Sequence, residues 1–155
     1  MKVYTDTSVI GGCFDEEFKE WSNALFQEFV SGIKQIMLSD LTLRELEFAR
    51  EEVRDKIKEI PDRYRIGIGV TDEAIFLAEN YISSGALTTR SYNDALHIAL
   101  ATLRNSDVLA SWNFKHIVNL DRIRLYNSIN LRNGYRMIEI RTPREILKLN
   151  NDGKE

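Results

Sequence analysis

One cysteine, Cys13, in 155 residues excludes an intramolecular disulfide and any cysteine-rich zinc site, which suits a reducing compartment. Two prolines and eight glycines are too few for a collagen-like or low-complexity chain, and with 43% apolar and 29% charged residues the sequence is not of the disordered type. No apolar run approaches the roughly 20 residues of a membrane span. There is no internal repeat, no Gly-x-Gly-x-x-Gly and no Gly-Lys-Ser/Thr loop, so the usual dinucleotide and nucleoside-triphosphate readings fall away. The opening Met1-Lys2-Val3-Tyr4-Thr5-Asp6 reaches a carboxylate before an apolar signal core could form, so a cytoplasmic protein is expected.

What is present fits one domain of about 150 residues, with residues 1–149 globular and 150–155 expected as a flexible tail. The net charge of −3 is uneven. Residues 1–60 hold 8 Lys+Arg against 13 Asp+Glu, whereas residues 121–155 hold 8 against 5. The basic last third could approach phosphates; a mixed solvated surface accounts for it equally well.

Strands and helices alternate. Lys2 to Thr5, Ile36 to Ser39, Val108 to Ser111 and Arg136 to Ile140 read as strands. A loop is expected through Gly11 and Gly12. Phe18, Trp21, Leu25 and Phe29 recur at helical spacing in a helix closed by Gly32, and Asp40 begins a long helix expected to reach about Glu59, before Pro61. Residues 66–70 read as an extended connector because of Gly67 and Gly69. Helices follow from Glu73 to Ser83, capped at Thr71-Asp72, and from about Asn93 to Arg104, while Leu125 to Leu131 is helix or loop. Short apolar strands between helices predict a parallel sheet covered on both faces, a three-layer α/β/α sandwich.

Ligands of such sheets bind beyond the carboxyl ends of the strands, which selects Asp6, Asp40 to Glu45, and Ser111 to Asn113. Asp6 follows the first strand, although an Asp there also serves as a turn former or helix cap. Glu45 has a structural alternative, because Thr42-Leu43-Arg44-Glu45 matches a capping box. Asp94 likewise matches a first-turn acid after Ser91. Three acids from three segments are each expected at one end of one sheet, however, and carboxylates so clustered repel unless a cation neutralises them. Hard oxygen ligands suit Mg²⁺ or Mn²⁺, which acidifies water and polarises a phosphoryl oxygen. A phosphate ester is the natural substrate class.

Asp6-Thr7-Ser8, the run Ser39 to Leu46, Asn93-Asp94-Ala95-Leu96-His97-Ile98-Ala99, and Ser111-Trp112-Asn113-Phe114 resemble, in their order and spacing, the signatures of the PIN domain. The nearest branch is that of the VapC-like toxins of type II toxin–antitoxin systems, and the resemblance runs from residue 1 to about 145. It implies a Rossmann-like fold, Mg²⁺- or Mn²⁺-dependent cleavage of RNA, a homodimer, and a small antitoxin partner. By the same resemblance Asp6, Glu45 and Asp94 are the metal-site acids and Ser8 a supporting hydroxyl. Asn113 departs from the pattern, which often has Asp there. An amide keeps an oxygen ligand and loses a charge, so a second metal is expected to bind more weakly.

Two other readings compete. One keeps the fold without catalysis, as an RNA- or protein-binding module impaired by Asn113. The other, a haloacid-dehalogenase-like phosphatase, lacks its second Asp at Ser8. Trp112 is read as packing rather than base stacking, His97 and His116 as outside the catalytic set, Arg90 and Lys115 as surface, and Cys13 as incidental. The amphipathic helices of residues 16–59 are expected mostly as core, with an antitoxin segment packing near them and masking the acids.

Overall fold

A computed structural model describes the backbone of residues 1–152 and the side chains of residues 1–149. Five strands, β1 (Lys2–Thr5), β2 (Gln35–Ser39), β3 (Arg65–Ile68), β4 (Val108–Ala110) and β5 (Ile140–Arg141), form one parallel sheet in the order β3-β2-β1-β4-β5. The helices are α1 (Thr7–Gly12), α2 (Lys19–Val30), α3 (Asp40–Leu46), α4 (Glu51–Asp55), α5 (Asp72–Ser83), α6 (Tyr92–Leu103), α7 (Leu120–Arg132) and α8 (Pro143–Asp152).

Alternation along each strand builds two cores, one on each face of the sheet. Val3, Ile36, Leu38, Val108 and Ala110 pack with Leu25, Phe26 and Phe29 of α2 and Ile146 of α8. Tyr4, Met37, Leu109 and Ile140 pack on the other face with Leu77 of α5, Ile98 of α6 and Ile129 of α7. The result is the α/β/α sandwich the sequence predicts. Burying a side chain such as Phe29, at 0% exposure, contributes about 1.5–3 kcal/mol.

Several expectations are corrected. The predicted loop at Gly11 and Gly12 is the end of α1, which starts directly after Asp6. The long helix from Asp40 to Glu59 is broken into α3, α4 and a 3₁₀ turn at Lys56–Glu59. At residues 47–49 the chain tightens to i→i+3 bonds, and Nη1 of Arg54 donates to the carbonyl of Ala49 (3.2 Å), ending α3 early. Residues 66–68 of the expected connector belong to β3, an edge strand whose pairing with β2 outweighs the low strand propensity of Gly67. The stretch from Arg136 to Glu139 is not strand. Asn127 accepts the N–H of Ile138 (2.7 Å) and donates to its carbonyl (3.2 Å), so those groups are spent on a side chain and β5 begins only at Ile140. The undecided segment around 125–131 is helix α7, capped by Asn119. Helix α8 runs through Asp152, into the expected tail, whose residues 153–155 lie outside the described residues.

Gly32, at φ +81°, ends α2 where only glycine is comfortable, and a Cβ there would also meet the Tyr64 ring at 2.4 Å. No helix among the described residues is long and apolar enough to cross a membrane.

Candidate functional site

The sheet reverses its winding between β1 and β4, so the crevice beyond their carboxyl ends is the expected ligand position. Asp6 and Ser111 stand there, one residue past each strand. Asp6 is only 4% exposed. Its Oδ1 accepts from the N–H of Val9 (3.3 Å), capping α1, and from the Ser8 hydroxyl (2.6 Å), while Oδ2 accepts from the Ser111 hydroxyl (2.6 Å). The cap reading of Asp6 therefore holds. Each serine also accepts a backbone N–H from the loop after β4, Trp112 on Ser8 and Asn113 on Ser111, both at 2.9 Å. Burial pushes the Asp6 carboxyl up from its ordinary range, against the opposing pull of nearby His97 and the two serines. No Lys or Arg among the described residues pairs with it.

Glu45 does not close a capping box. Ser39 holds the N-cap position of α3 and accepts the N–H of Thr42 (3.1 Å), which places Glu45 near the end of the helix rather than in its first turn. Glu45 Oε1 instead lies 2.5 Å from Nε2 of His97 on α6. Asp94, in the first turn of α6, has Oδ2 at 3.0 Å from Nδ1 of His116, and Ser91 makes no cap bond to this helix. Asn113 Oδ1 accepts the backbone N–H of His116 (3.0 Å).

Three of the four predicted residues are thus joined through one chain of hydrogen bonds, Asp6 to Ser111 to Asn113 to His116 to Asp94, while Glu45 is held separately by His97. Among the described residues, no three His, Cys, Asp or Glu side chains are already gathered into a group that could hold a metal. The donor chemistry nevertheless suits a hard divalent cation: of the three carboxylates, Asp6 stands at the carboxyl end of β1, buried without a positive side chain against it. Glu45 and Asp94 face histidines, and no coordination geometry follows from these positions.

Trp112 packs, as expected. Its ring stacks on Phe18 (centroids 4.3 Å, 16°) and its Nε1 donates to Ser22 (2.8 Å). Arg90 and Lys115 are exposed, and Cys13 is buried, its thiol pushed up to about 12 by burial. The sequence selects Ser111 by its place after β4, but both histidines, read as outside the catalytic set, turn out to partner Glu45 and Asp94. A lone His within the apolar run 95–101 reads as core; its signal was its place one turn after Asp94. A hollow of about 790 Å³ lies elsewhere, between α7 and β5, whereas a hollow of about 320 Å³ beside Glu45 is lined by Leu41, Phe48, Tyr92 and Leu96.

This arrangement, an order-32145 parallel sheet with Asp6 at its switch point, is a PIN-like sandwich. Solved structures bear out that fold. The chain is similar to VapC20 of Mycobacterium tuberculosis, described as a Sarcin-Ricin loop cleaving toxin, with a TM-score of 0.57 and 15% identity over 74% of this chain and 92% of that one. It is similar to VapBC2 from Rickettsia felis, bound to a DNA fragment from their promoter (TM-score 0.59, 15% identity, 92% and 98% covered). A third is FitAcB from Neisseria gonorrhoeae (0.58, 12%, 91% and 97%). No family model matches the sequence, and no curated protein does.

Proposed function

We propose that the protein is a Mg²⁺- or Mn²⁺-dependent endoribonuclease, the toxin of a toxin–antitoxin pair acting in the cytoplasm. The observation that carries this reading is the buried carboxylate of Asp6 at the switch point of a sheet shared with VapC20, a toxin described as cleaving the Sarcin-Ricin loop. Asp6, Glu45 and Asp94 would hold the cation, with Asn113 beside them. When bound, it would neutralise the scissile phosphate and acidify the attacking water. The chain's own part is positional. Ser8 and Ser111 fix both oxygens of Asp6 and tie them to the backbone of the loop that carries Asn113.

The test is cleavage of structured RNA with Mg²⁺ or Mn²⁺ by purified protein and by Asp6→Asn and Asp94→Asn. Rates unchanged by both substitutions reject the mechanism. A second reading, a catalytically silent binding module, draws on the engagement of Asn113 Oδ1 by the His116 N–H, which leaves only one lone pair of that oxygen for any ligand. A large gain of cleavage in Asn113→Asp from near-zero activity would favour it.

The partners belong to the same proposal: a small antitoxin and a second copy of the chain. Phe48, 91% exposed, and Leu43 leave apolar surface on and beside α3, close to Glu45. A co-expressed antitoxin that binds there should suppress cleavage; binding without suppression counts against masking of the acids.

A further inference from the structure

The core beside the acids carries a set of buried polar groups, of which Ser39 also caps α3. Tyr4, Ser39 and Thr42 are fully buried and His97 is 2% exposed. They form one line of hydrogen bonds: Thr42 to Ser39, Ser39 to Tyr4 (2.8 Å), Tyr4 to Nδ1 of His97 (2.7 Å), and Nε2 of His97 to Glu45 (2.5 Å).

The line has a direction. The Thr42 hydroxyl donates to the carbonyl of Thr5 (3.3 Å), which can only accept, and the N–H of Thr42 donates to Ser39 Oγ. Of its two possible acceptors, Thr42 Oγ1 at 3.2 Å and the Tyr4 oxygen at 2.8 Å, Ser39 is assigned the nearer, which leaves the phenolic proton to His97 Nδ1. With Nδ1 an acceptor, the neutral imidazole carries its hydrogen on Nε2, against Glu45 Oε1. The other tautomer would set a nitrogen lone pair against a carboxylate oxygen. Glu45 Oε2 accepts no hydrogen bond from a described residue.

We propose that His97 is the positioning residue of Glu45: Tyr4 fixes its imidazole as the Nε2–H form, which pins Glu45 by one oxygen and leaves the other to a hard cation. This rests on the proposed function only for what Glu45 holds. Such outer partners orient a ligand by fixing tautomer and ring, and their loss costs about 10–100-fold in metal affinity.

The experiment uses the full chain labelled with ¹⁵N-histidine. It has two histidines, which His116→Gln tells apart in the spectrum. Long-range ¹H–¹⁵N couplings should show His97 as Nε2–H without any metal, and Tyr4→Phe, which keeps the ring, should release it to a mixture. Mn²⁺ titrated without RNA should bind about 10–100-fold more weakly to His97→Leu, with a smaller loss in Tyr4→Phe, and His97→Gln, whose amide N–H replaces Nε2–H, should recover part. An Nδ1–H tautomer in the wild type overturns the proposal. So does wild-type Mn²⁺ affinity in folded Tyr4→Phe and His97→Leu; if His97→Leu does not fold, unchanged affinity in Tyr4→Phe suffices. A wild type that shows Nε2–H but binds no Mn²⁺ overturns the metal reading while the positioning of Glu45 stands.

Discussion

Asn113 holds the backbone N–H of His116 on its side-chain oxygen at 3.0 Å, closing the turn after β4 that also brings His116 to Asp94. The residue that departs from the expected Asp is therefore a loop former as well as a neighbour of the acids. Asn113→Asp keeps that acceptor and adds a negative charge next to Ser111 and Asp6. Its unfolding midpoint in EDTA should be lower than wild type. If the added carboxylate tightens Mn²⁺ binding tenfold, saturating Mn²⁺ should stabilise it by about 1.4 kcal/mol more than it stabilises wild type. Asn113→Ala, which loses the turn, should cost about 1 kcal/mol with or without metal. Thermal melts with and without Mn²⁺ check all three.

Asp6 sets the pH dependence. Because burial raises its carboxyl above the ordinary value of 3.8, the fold favours the protonated form. That contribution is complete below the ordinary value and is lost as pH rises through the raised one, so the metal-free protein should lose stability across that interval. Asp6→Asn removes the titration, and this part of the stability slope should vanish, with a midpoint at pH 7.5 at or above wild type. Its RNA cleavage should fall by more than the roughly 10–100-fold that the loss of an outer partner costs. Denaturation series from pH 4 to 8, beside cleavage assays, measure both.

Gly12 couples α1 to the site. A Cβ there would lie 2.6 Å from Ser22 Oγ and 2.8 Å from Trp112 Nε1, the two atoms that hydrogen-bond each other. Gly12→Ala must push them apart, and overpacking of this kind costs about 1–3 kcal/mol. Trp112 also donates its N–H to Ser8, which holds Asp6, so the strain should reach the acids. A lower midpoint together with altered tryptophan fluorescence is the expected outcome; a wild-type melt would show that the pair moves freely.

The parts of this molecule that were legible in the sequence are those set by local pattern. β1, β2 and β4 are apolar runs, and α5 carries its own Thr71 cap, whose hydroxyl accepts the N–H of Ala74. β3 and β5 were not legible, because a glycine-bearing edge and a two-residue strand exist through pairing with neighbours rather than through their own propensity. In the site, Asp6 and Glu45 could be chosen by position relative to the strands, and Asp94 by the helix start after Ser91 and by the family resemblance. What Glu45 does instead of capping depends on Ser39 taking the cap first and on His97 arriving from a helix 52 residues away, a contact that no local spacing encodes.

Tyr126 carries α7 to the same loop. Its hydroxyl donates to the carbonyl of His116, its ring packs edge-on against Tyr81 (5.4 Å, 61°), and burial raises its phenol so that the proton stays in place through the alkaline range. Tyr126→Phe keeps the ring and removes only the bond to His116. The loss should be about 1 kcal/mol. Because the amides of Ile117 and Val118 both donate to the carbonyl of Asn113, the loosened turn should exchange those two hydrogens faster than wild type. Weaker Mn²⁺ binding should accompany it, since His116 is what holds Asp94. Hydrogen exchange unchanged at Ile117 and Val118, with a lowered midpoint, would show instead that Tyr126 supports α7 and leaves the loop that holds Asn113 and His116 undisturbed.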